Sequence, residues 1–365
     1  MHLPSHSQRP ISRKRKKYPH LGAYLGNLLK TGDMAVTELL SKHTLFRTHD
    51  LDDARDQVAR VFCPHRLTTA AASGEVDTVH NSVKLKDVSL NYLDYGAEVN
   101  ITPGELNSFF LVQIPLSGGG RVTCGSQNIE SSTEVASIPS PTEHLDMTWQ
   151  DQSPHLLVHL SRYSVETRLE ELMGRSLSAP IRFDLAMRMD NPGIRSWRQI
   201  VDVLVQNFDS DVPGLHESVQ TEIESACITG LLTAQPHNYS ACLTNAAEPA
   251  APRSVRKAMS LCEEQTYDNL TISKMAAHAG VSVRSLQEGF RSYVGLSPTQ
   301  YLREVRLRGA HEELSQSENG DRTVSEIAGD WGFTHLGRFS HYYADRYGEL
   351  PSETLRGAQF TNSLI

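Results

Sequence analysis

Residues 272–298 read ISKMAAHAGVSVRSLQEGFRSYVGLSP, and residues 324–351 read VSEIAGDWGFTHLGRFSHYYADRYGELP. The two stretches match in order at small, glycine, large apolar and proline positions, with an offset of 52 that becomes 53 halfway along. The matched pairs are Ala276 with Ala328, Gly280 with Gly332, Leu286 with Phe339, Phe290 with Tyr343, Gly295 with Gly348 and Pro298 with Pro351. This internal repeat decides the fold of the C-terminal third of the chain.

Each copy of the repeat has the pattern of two short helices that cross at a steep angle. Ala276 provides the small side chain needed where two helix backbones approach, and Gly280 can take the positive φ of a turn of three or four residues. Leu286 and Phe290 at i, i+4 form a buried stripe on the second helix, which Gly295 ends. The repeat therefore predicts two helix-turn-helix units between about Pro252 and Arg356.

The second helix of the first unit presents a polar face opposite its buried stripe. Arginine and glutamine are residue types that bind guanine and adenine edges in the major groove, and glutamate can accept from cytosine. A solvated helix face is the alternative, but the turn motif favours DNA. We predict DNA contacts in the first unit from Lys274, Ser282, Arg284, Ser285, Gln287, Glu288 and Arg291.

The equivalent face of the second unit offers less to bases. We predict contacts there from Gly337, Arg338, Ser340, His341 and Arg346, with Arg338 on base or phosphate, and we expect this unit to add more affinity than specificity. Residues 252–365 contain 13 Lys and Arg against 14 Asp and Glu. Because the domain is not net basic, binding depends on clustered cations, and we expect modest affinity with a measurable salt dependence.

The segment between the two units predicts one continuous helix. Ser297-Pro298-Thr299 has the composition of a helix start, and Tyr301, Leu302, Val305 and Leu314 follow at helical spacing. Eighteen residues span roughly 27 Å, close to the roughly 34 Å between successive major grooves on one side of a duplex. Such a connector can place both units on one face of DNA.

The rest of the chain divides by composition, giving an α+β protein with an N-terminal cupin-like β barrel or sandwich, flanking helices and the all-α C-terminal domain. Residues 34–190 are β-rich, with short runs such as Val88 to Tyr95 and Phe109 to Leu116, and the glycines 118–120 favour a hairpin turn. Residues 191–244 are helical, residues 245–252 form a linker and residues 253–358 form the DNA-binding domain.

The helical segment has two apolar stripes, which can pack on the β domain or against a second subunit. The first stripe is Ile194, Trp197, Val201, Leu204 and Phe208, and the second is Val219, Ile223, Ala226 and Leu231. Residues 1–33 include the basic run from Arg13 to Lys17, and we interpret them as a disordered tail or as sequence upstream of a start at Met34.

The overall composition restricts the class of protein. The net charge of -8, with 21% charged and 39% hydrophobic residues, is typical of a soluble globular chain. The five cysteines contain no C-x-x-C pair, and no apolar run reaches the roughly 18 residues that a bilayer requires. We therefore expect a cytoplasmic protein without disulfides or a zinc site.

These motifs resemble the AraC/XylS family of bacterial transcription regulators. The resemblance rests on I-x-x-M-A-x-x-x-G at residues 272–280, V-x-E-I-A-x-x-W-G-F at residues 324–333 and, in the β domain, F-x-x-Q-I-P-L-x-G at residues 110–118. It implies a regulator that binds promoter DNA, often as a homodimer, and activates RNA polymerase when a small molecule occupies the β domain. Leu336-Gly337 departs from the pattern, because it offers little to bases.

The effector pocket is predicted on two strands that combine apolar and polar residues. We expect its lining to include Tyr92, Tyr95, Val112, Ile114 and Arg121. Arg121 could pair with an anionic effector such as an organic acid.

Two other classes of protein remain as alternatives. The first is a DNA-binding protein without a ligand, whose β domain would be filled by packed side chains. The second is a cupin-type metalloenzyme, for which His144, His155 and His159 are the candidate ligands. Their spacing lacks the His-x-His pattern of metal cupins, so we expect no metal, cofactor or catalytic residue.

Overall fold

The computed structural model describes residues 37–69, 75–210, 214–244, 251–264, 270–317 and 322–362. The predicted tail at residues 1–33 and most of the predicted linker at residues 245–252 lie outside these ranges. From Glu38 onward, the described residues belong to one compact unit.

The N-terminal part is an antiparallel sheet of 12 strands. The strands are β1 Thr44–Thr48, β2 Arg66–Thr69, β3 Thr78–Lys84, β4 Val88–Asp94, β5 Val99–Gly104, β6 Phe109–Pro115, β7 Gly119–Cys124, β8 Gln127–Ser132, β9 Val135–Ser137, β10 Leu145–Trp149, β11 His155–Ser161 and β12 Ala186–Arg188. Their order is β1-β3-β4-β11-β6-β9-β8-β7-β10-β5-β2, with β12 paired to β9. The predicted runs at 88–95 and 109–116 are thus confirmed as strands.

The sheet curls around an interior core, because strands that lie far apart in its order share that core. Leu111 on β6 and Leu157 on β11 pack with Ile101 on β5 and Leu67 on β2, the strand at the end of the sheet. Alternate residues of β6 face the outside of the curled sheet. There Val112 packs with residues of the helices in a second cluster, which we call the outer core. Both faces of β6 are therefore apolar and buried.

The helices cover the outer face of the sheet and form the C-terminal part. They are α1 Leu51–Val61, α2 Arg162–Met173, α3 Pro192–Asp209, α4 Glu217–Ala234, α5 Ser240–Leu243, α6 Arg253–Glu264, α7 Ile272–Ala279, α8 Val283–Tyr293, α9 Pro298–Gln316, α10 Val324–Asp330, α11 Leu336–Tyr347 and α12 Pro351–Asn362. Helices α2, α3 and α4 pack on the outer core, whereas α1 lies between the two edge strands β1 and β2 and contacts both.

The two predicted stripes of the helical segment have different outcomes. The α3 stripe packs within the chain, since Trp197 and Val201 are buried in the outer core. The α4 stripe is confirmed only in part, because Leu231 is buried and Ile223 packs on the outer core, whereas Val219 is 43% exposed and Ala226 is exposed. Glu224 is buried instead, and its carboxylate accepts hydrogen bonds from the backbone N–H groups of the turn between β3 and β4. Because buried backbone N–H groups need acceptors, these hydrogen bonds favour the rotation of α4 about its axis that buries Glu224.

The expected hairpin at glycines 118–120 is wrong, because β6 and β7 are not neighbours in the sheet. Gly118 bends the chain with φ +60°, and Gly119 and Gly120 open strand β7. A Cβ on Gly120 would lie 1.9 Å from the Thr148 carbonyl oxygen, so that position requires glycine.

The C-terminal part confirms the two helix-turn-helix units. Gly280 and Gly332 occupy the turns with φ +72° and +75°, and Ala276 and Ala328 are buried at the helix crossings. Each unit has its own core, one around Leu286 and Phe290, the other around Phe339 and Tyr343.

Helix α9 is the predicted connector and runs unbroken for 19 residues. Ser297 caps it in a capping box with Gln300, and Pro298 occupies the first turn. At about 1.5 Å per residue, the helix spans roughly 28 Å. Its first half packs into the core of the first unit, and its second half packs into the core of the second. The helix is therefore part of both units.

Candidate nucleic-acid interface and effector pocket

Helix α8 exposes the polar face that the sequence predicted. Leu286 and Phe290 are buried, whereas Arg284, Gln287 and Arg291 are exposed. Lys274 on α7 and Ser285 and Glu288 on α8 are exposed as well. The hydroxyl of Ser282 has a structural role, because it caps α8 by accepting from the Ser285 backbone N–H at 3.1 Å.

Arg284 is held by an exposed ion pair, with its Nε 2.9 Å from Glu288 Oε1. The side chains of Arg284 and Glu288 are 87% and 66% exposed. Exposed ion pairs of this kind are weak, so the guanidinium can exchange Glu288 for a base edge at little cost.

Helix α11 exposes a smaller surface. Gly337, Arg338 and His341 are exposed and Ser340 is half-buried. His341 Nε2 lies 3.5 Å from Asp345 Oδ2, on the same face. Neighbouring arginines support the unit from α9, since Arg303 lies over the Tyr342 ring and Arg306 Nη1 donates to the Gly332 carbonyl at 3.3 Å.

Arg346, which the sequence predicted to contact DNA, is buried. It is 9% exposed and lies in a buried network of ion pairs with Glu166 on α2 and Glu304 on α9. Arg346 Nε lies 2.9 Å from Glu304 Oε2, while Arg162 Nε lies 2.8 Å from Glu166 Oε1. The two arginines and two glutamates neutralise each other's charge, which keeps Arg346 away from the exposed surface.

The charges in this network shift each other's titration. Burial alone would raise the pKa of Glu166, but Arg162 and Arg346 reverse that effect and lower it below its ordinary value. Burial opposes protonation of Arg346, and Glu166 and Glu304 outweigh it by raising its pKa. Glu166 and Arg346 are therefore charged at neutral pH.

The network joins the β domain to the second helix-turn-helix unit. Arg162, Tyr163, Glu166 and Glu170 lie on one face of α2, and each contacts the C-terminal part of the chain. We call these four residues the α2 contact face. Gly295 and Gly348, the equivalent ends of α8 and α11, also lie against the β domain, next to Arg182 and Ser108. Only the i, i+4 spacing of Arg162 and Glu166 could have indicated these contacts from the sequence.

A cavity of about 40 Å³ lies inside the curled sheet. Phe109, Met147 and Trp149 line it from the strands, Tyr95 lines it just after β4, and Val58 on α1 and Phe62 at the end of α1 form another part of its wall. Sequence reasoning missed most of these residues, because both faces of strands such as β6 are apolar and the pattern does not tell inside from outside.

The five residues predicted to bind an effector are dispersed. Tyr95 lines the cavity, whereas Val112 and Ile114 belong to the outer core under the helices. Tyr92 is buried on β4 but is not among the residues that line the cavity. Arg121 is exposed and pairs with Glu130 at 3.0 Å.

The three histidines considered as metal ligands have different surroundings. His144 is exposed, His155 stacks on Trp149 at 3.7 Å between ring centroids, and His159 stacks on Phe109 at 4.4 Å. Burial lowers the pKa of His155 to about 3 and that of His159 to about 4. Within the described ranges, no three histidine, cysteine or acidic side chains cluster in a way that could hold a metal ion. None of the described helices is long and apolar enough to cross a bilayer.

Two helix-turn-helix units on a shared helix, joined to a β domain that encloses a cavity, define a DNA-binding transcription regulator with a separate ligand-binding domain. The chain belongs to the AraC/XylS family. Residues 54–233 match the AraC-binding-like domain and residues 275–357 match a helix-turn-helix domain.

Known relatives cover most of the chain. A probable thc operon regulatory protein of Rhodococcus erythropolis is 30% identical over 321 residues, which is 86% of this chain and 96% of that protein. An XylDLEGF operon transcriptional activator of Pseudomonas putida is 26% identical over 266 residues, 72% of this chain and 80% of its own length. The crystal structure of a probable AraC family regulator from Rhodopseudomonas palustris is 36% identical, with a TM-score of 0.28, and covers 30% of this chain and 99% of its own.

Proposed function

We propose that this regulator binds promoter DNA chiefly through the exposed face of helix α8. The observation that supports this most is the set of exposed polar side chains on α8, which is held over a buried stripe in an intact helix-turn-helix unit. In this proposal Arg284, Gln287, Glu288 and Arg291 contact bases, while Lys274, Ser282 and Ser285 contact the backbone.

Helix α11 binds the neighbouring groove in the same proposal. Arg338 and His341 contact phosphate or base, with Gly337 and Ser340 beside them. Arg346 is left out, because its guanidinium neutralises buried glutamates. The roughly 28 Å length of α9 suits the spacing of grooves on one side of a duplex.

The effector of this proposal occupies the cavity inside the curled sheet. Of the residues first expected there, Tyr95 is retained. Occupancy is communicated through β11, because His155 and Leu157 face the interior and the strand runs directly into α2. A shift of β11 would move the α2 contact face and with it the second helix-turn-helix unit.

Other parts of the proposal rest on the relatives and on the sequence. The relatives named as operon activators support activation. RNA polymerase as a partner and a homodimer as the DNA-bound form are parts of the proposal that rest on the family resemblance alone. The proposed division is an effector domain at residues 34–190, a packing or dimerisation segment at 191–244 and a DNA-binding domain at 253–358. We place the protein in the bacterial cytoplasm, where promoter DNA lies.

Genomic selection tests DNA binding. The full chain is mixed with fragmented genomic DNA of its source, and retained fragments are sequenced at low and at moderate salt. We expect a small set of promoter fragments that share one sequence element, with weaker retention at the higher salt concentration. Retention that does not exceed that of random fragments would contradict the proposal.

A pair of matched variants tests the coupling. Glu166→Gln removes one charge of the buried network, whereas Glu171→Gln makes the same change at an exposed position of α2. We expect hydrogen exchange in Leu336–Tyr347 to accelerate at least tenfold in the first variant and to stay unchanged in the second. Equal exchange in both would show that α2 does not restrain the second unit.

A DNA-binding protein without an effector is the second candidate, and the small size of the cavity favours it. A volume of about 40 Å³ holds only a few heavy atoms. Failure of every small molecule to change DNA retention or thermal unfolding of the full chain would support this candidate.

A further inference from the structure

Helix α6, which precedes the first helix-turn-helix unit, has three cations on one side of its first half. Arg253, Arg256 and Lys257 follow one another at i, i+3 and i+4, which places them within about 100° around the helix axis. All three residues are exposed, whereas Val255 and Ala258 are buried in the core of the first unit. We call Arg253, Arg256 and Lys257 the α6 cationic patch.

The charge of this patch is not neutralised within the protein. Among the residues that the structure describes, no acidic side chain forms an ion pair with Arg253, Arg256 or Lys257. Ion pairs do neutralise four other arginines of the C-terminal part, namely Arg284, Arg308, Arg322 and Arg346. A domain whose net charge is close to zero therefore concentrates unpaired positive charge on α6.

The charges of α6 are arranged against the stability of the helix. Basic residues stabilise the C-terminal end of a helix and acidic residues its N-terminal end, because of the helix dipole. In α6, Arg253 and Arg256 lie in the first turn. The last turn contains Glu263 and Glu264. Arg253 also has like charges at i+3 and i+4, the spacings at which they repel. Helix stability does not account for the patch, and such a departure from a local rule indicates a function.

Helix α6 packs beside the helix that we propose to contact bases. A Cβ on Gly289 of α8 would lie 2.8 Å from Val255 Cγ2, so the first turn of α6 approaches the backbone of α8 closely. Gly289 lies about 100° around the α8 axis from Glu288 and about 140° from Arg284. The first turn of α6 therefore lies on the flank of α8 and leaves the exposed polar face free.

A position on the flank of α8 is suited to the DNA backbone. The major groove is about 12 Å wide, so a helix inside it lies close to the phosphates on either side. The axes of packed helices are roughly 8 to 10 Å apart, which places the neighbour of an inserted helix over one bordering strand. Long cationic side chains at that position meet phosphates and not base edges.

Building on the proposed binding of α8 to promoter DNA, we propose that the α6 cationic patch binds the phosphate backbone beside the groove that α8 enters. The contact adds affinity and salt dependence but no sequence preference, because phosphates are the same in every sequence. DNA is favoured over an acidic protein as the partner, because the patch adjoins the proposed base-contacting helix and matches the charge of the DNA backbone.

Removal of the three charges tests this inference on the full chain. The variant combines Arg253→Gln, Arg256→Gln and Lys257→Gln. Fluorescence anisotropy measures its binding to a selected promoter duplex and to a scrambled duplex of equal length, over a series of salt concentrations. We expect weaker binding to both duplexes by the same factor, about tenfold or more at about 0.1 M salt. The slope of log K against log salt should become shallower by about two to three.

Two control variants separate phosphate binding from other effects. The combination of Arg60→Gln, Arg188→Gln and Arg195→Gln changes the net charge equally at exposed positions of the N-terminal part and should leave affinity and slope unchanged. The pair Arg253→Lys and Arg256→Lys keeps every charge and should retain the slope. Because the patch opposes the helix dipole, the α6 glutamine variant should unfold at a temperature no lower than that of the original chain.

The possible failures can be told apart. An equal loss of affinity in the two triple variants would reveal a general effect of net charge and overturn the inference. Unchanged DNA binding with reduced transcription by added RNA polymerase would assign the patch to a protein partner and overturn it as well. If the α6 variant binds the promoter duplex with the original slope, the inference alone fails. If the original chain binds neither duplex, the proposed function fails with it.

Discussion

In the proposed DNA complex, Arg284 brings sequence specificity to a domain whose net charge is close to zero. It is 87% exposed, it is held along the helix by Glu288, and its guanidinium has the geometry to contact guanine in two places. Because exposed ion pairs are weak, we expect Arg284 to exchange Glu288 for a base edge at little cost.

Arg284→Ala should cost roughly 1 to 3 kcal/mol of DNA-binding free energy and relax the preference at one base pair. Affinities for a selected promoter fragment and its single-base variants measure the effect. Arg188→Ala, which removes an exposed arginine paired with Asp190 in the β domain, is the matched control. An equal loss on selected and random DNA would instead assign Arg284 to a phosphate.

Residues that need a special backbone conformation were predictable, and residues that meet distant partners were not. Gly280 and Gly332 could be placed in turns because only glycine takes φ above +70° without strain. Arg346 could not be assigned, since its partner Glu166 lies 180 positions earlier in the chain. The sequence around Arg346 does not distinguish a buried arginine from an exposed one that contacts phosphate.

At the scale of elements, helix α9 depends on one close approach to the turn of the second unit. A Cβ on Gly309 would lie 2.0 Å from the Trp331 ring, which packs in the second core and donates to Glu313 at 2.8 Å. Helix α9 and the turn of the second helix-turn-helix unit are therefore packed tightly together. This packing restricts rotation of the second unit relative to α9.

Gly309→Ala should destabilise the protein by about 1 to 3 kcal/mol, although alanine favours helices. The Trp331 ring can make room only by leaving its core contacts and its hydrogen bond. Gly329→Ala on α10 is the control, because nothing lies within 4 Å of its Cβ, and it should stabilise by about 0.5 to 1 kcal/mol. Thermal unfolding compares them, and equal midpoints would disprove the close packing.

The sequence predicted which segments are strands and helices better than it predicted which way they face. Residues 109–116 were assigned to a strand, but Val112 and Ile114 turned out to face the helices and not the cavity. In a strand buried on both faces, alternation has no polar side to mark the orientation. The α4 stripe was correct at Leu231 and wrong at Val219, because the helix also buries Glu224, whose carboxylate accepts from backbone amides distant in sequence.

At the scale of the whole molecule, buried neutral histidines make stability depend on pH. Burial lowers the pKa of His80 and His159 to about 4, from an ordinary value near 6.5 in the unfolded chain. Between about pH 4 and 6.5 the unfolded chain binds protons that the folded chain does not. The free energy of unfolding therefore falls as the pH drops through this window.

Denaturant titrations at pH 7, 6 and 5 should show this loss, and His159→Phe should make it smaller by removing one such group. Phenylalanine fits, because His159 already stacks on Phe109 at 4.4 Å. A pH dependence as steep as that of the original protein would mean that His159 is not neutral when folded.

We propose that α9 holds the two helix-turn-helix units so that both bind the same face of DNA. Hydroxyl-radical footprinting of the full chain on a selected promoter fragment tests this arrangement. We expect two protected segments about ten base pairs apart, with the first sensitive to Arg284→Ala. A single protected segment that disappears entirely in the Arg284 variant would contradict it.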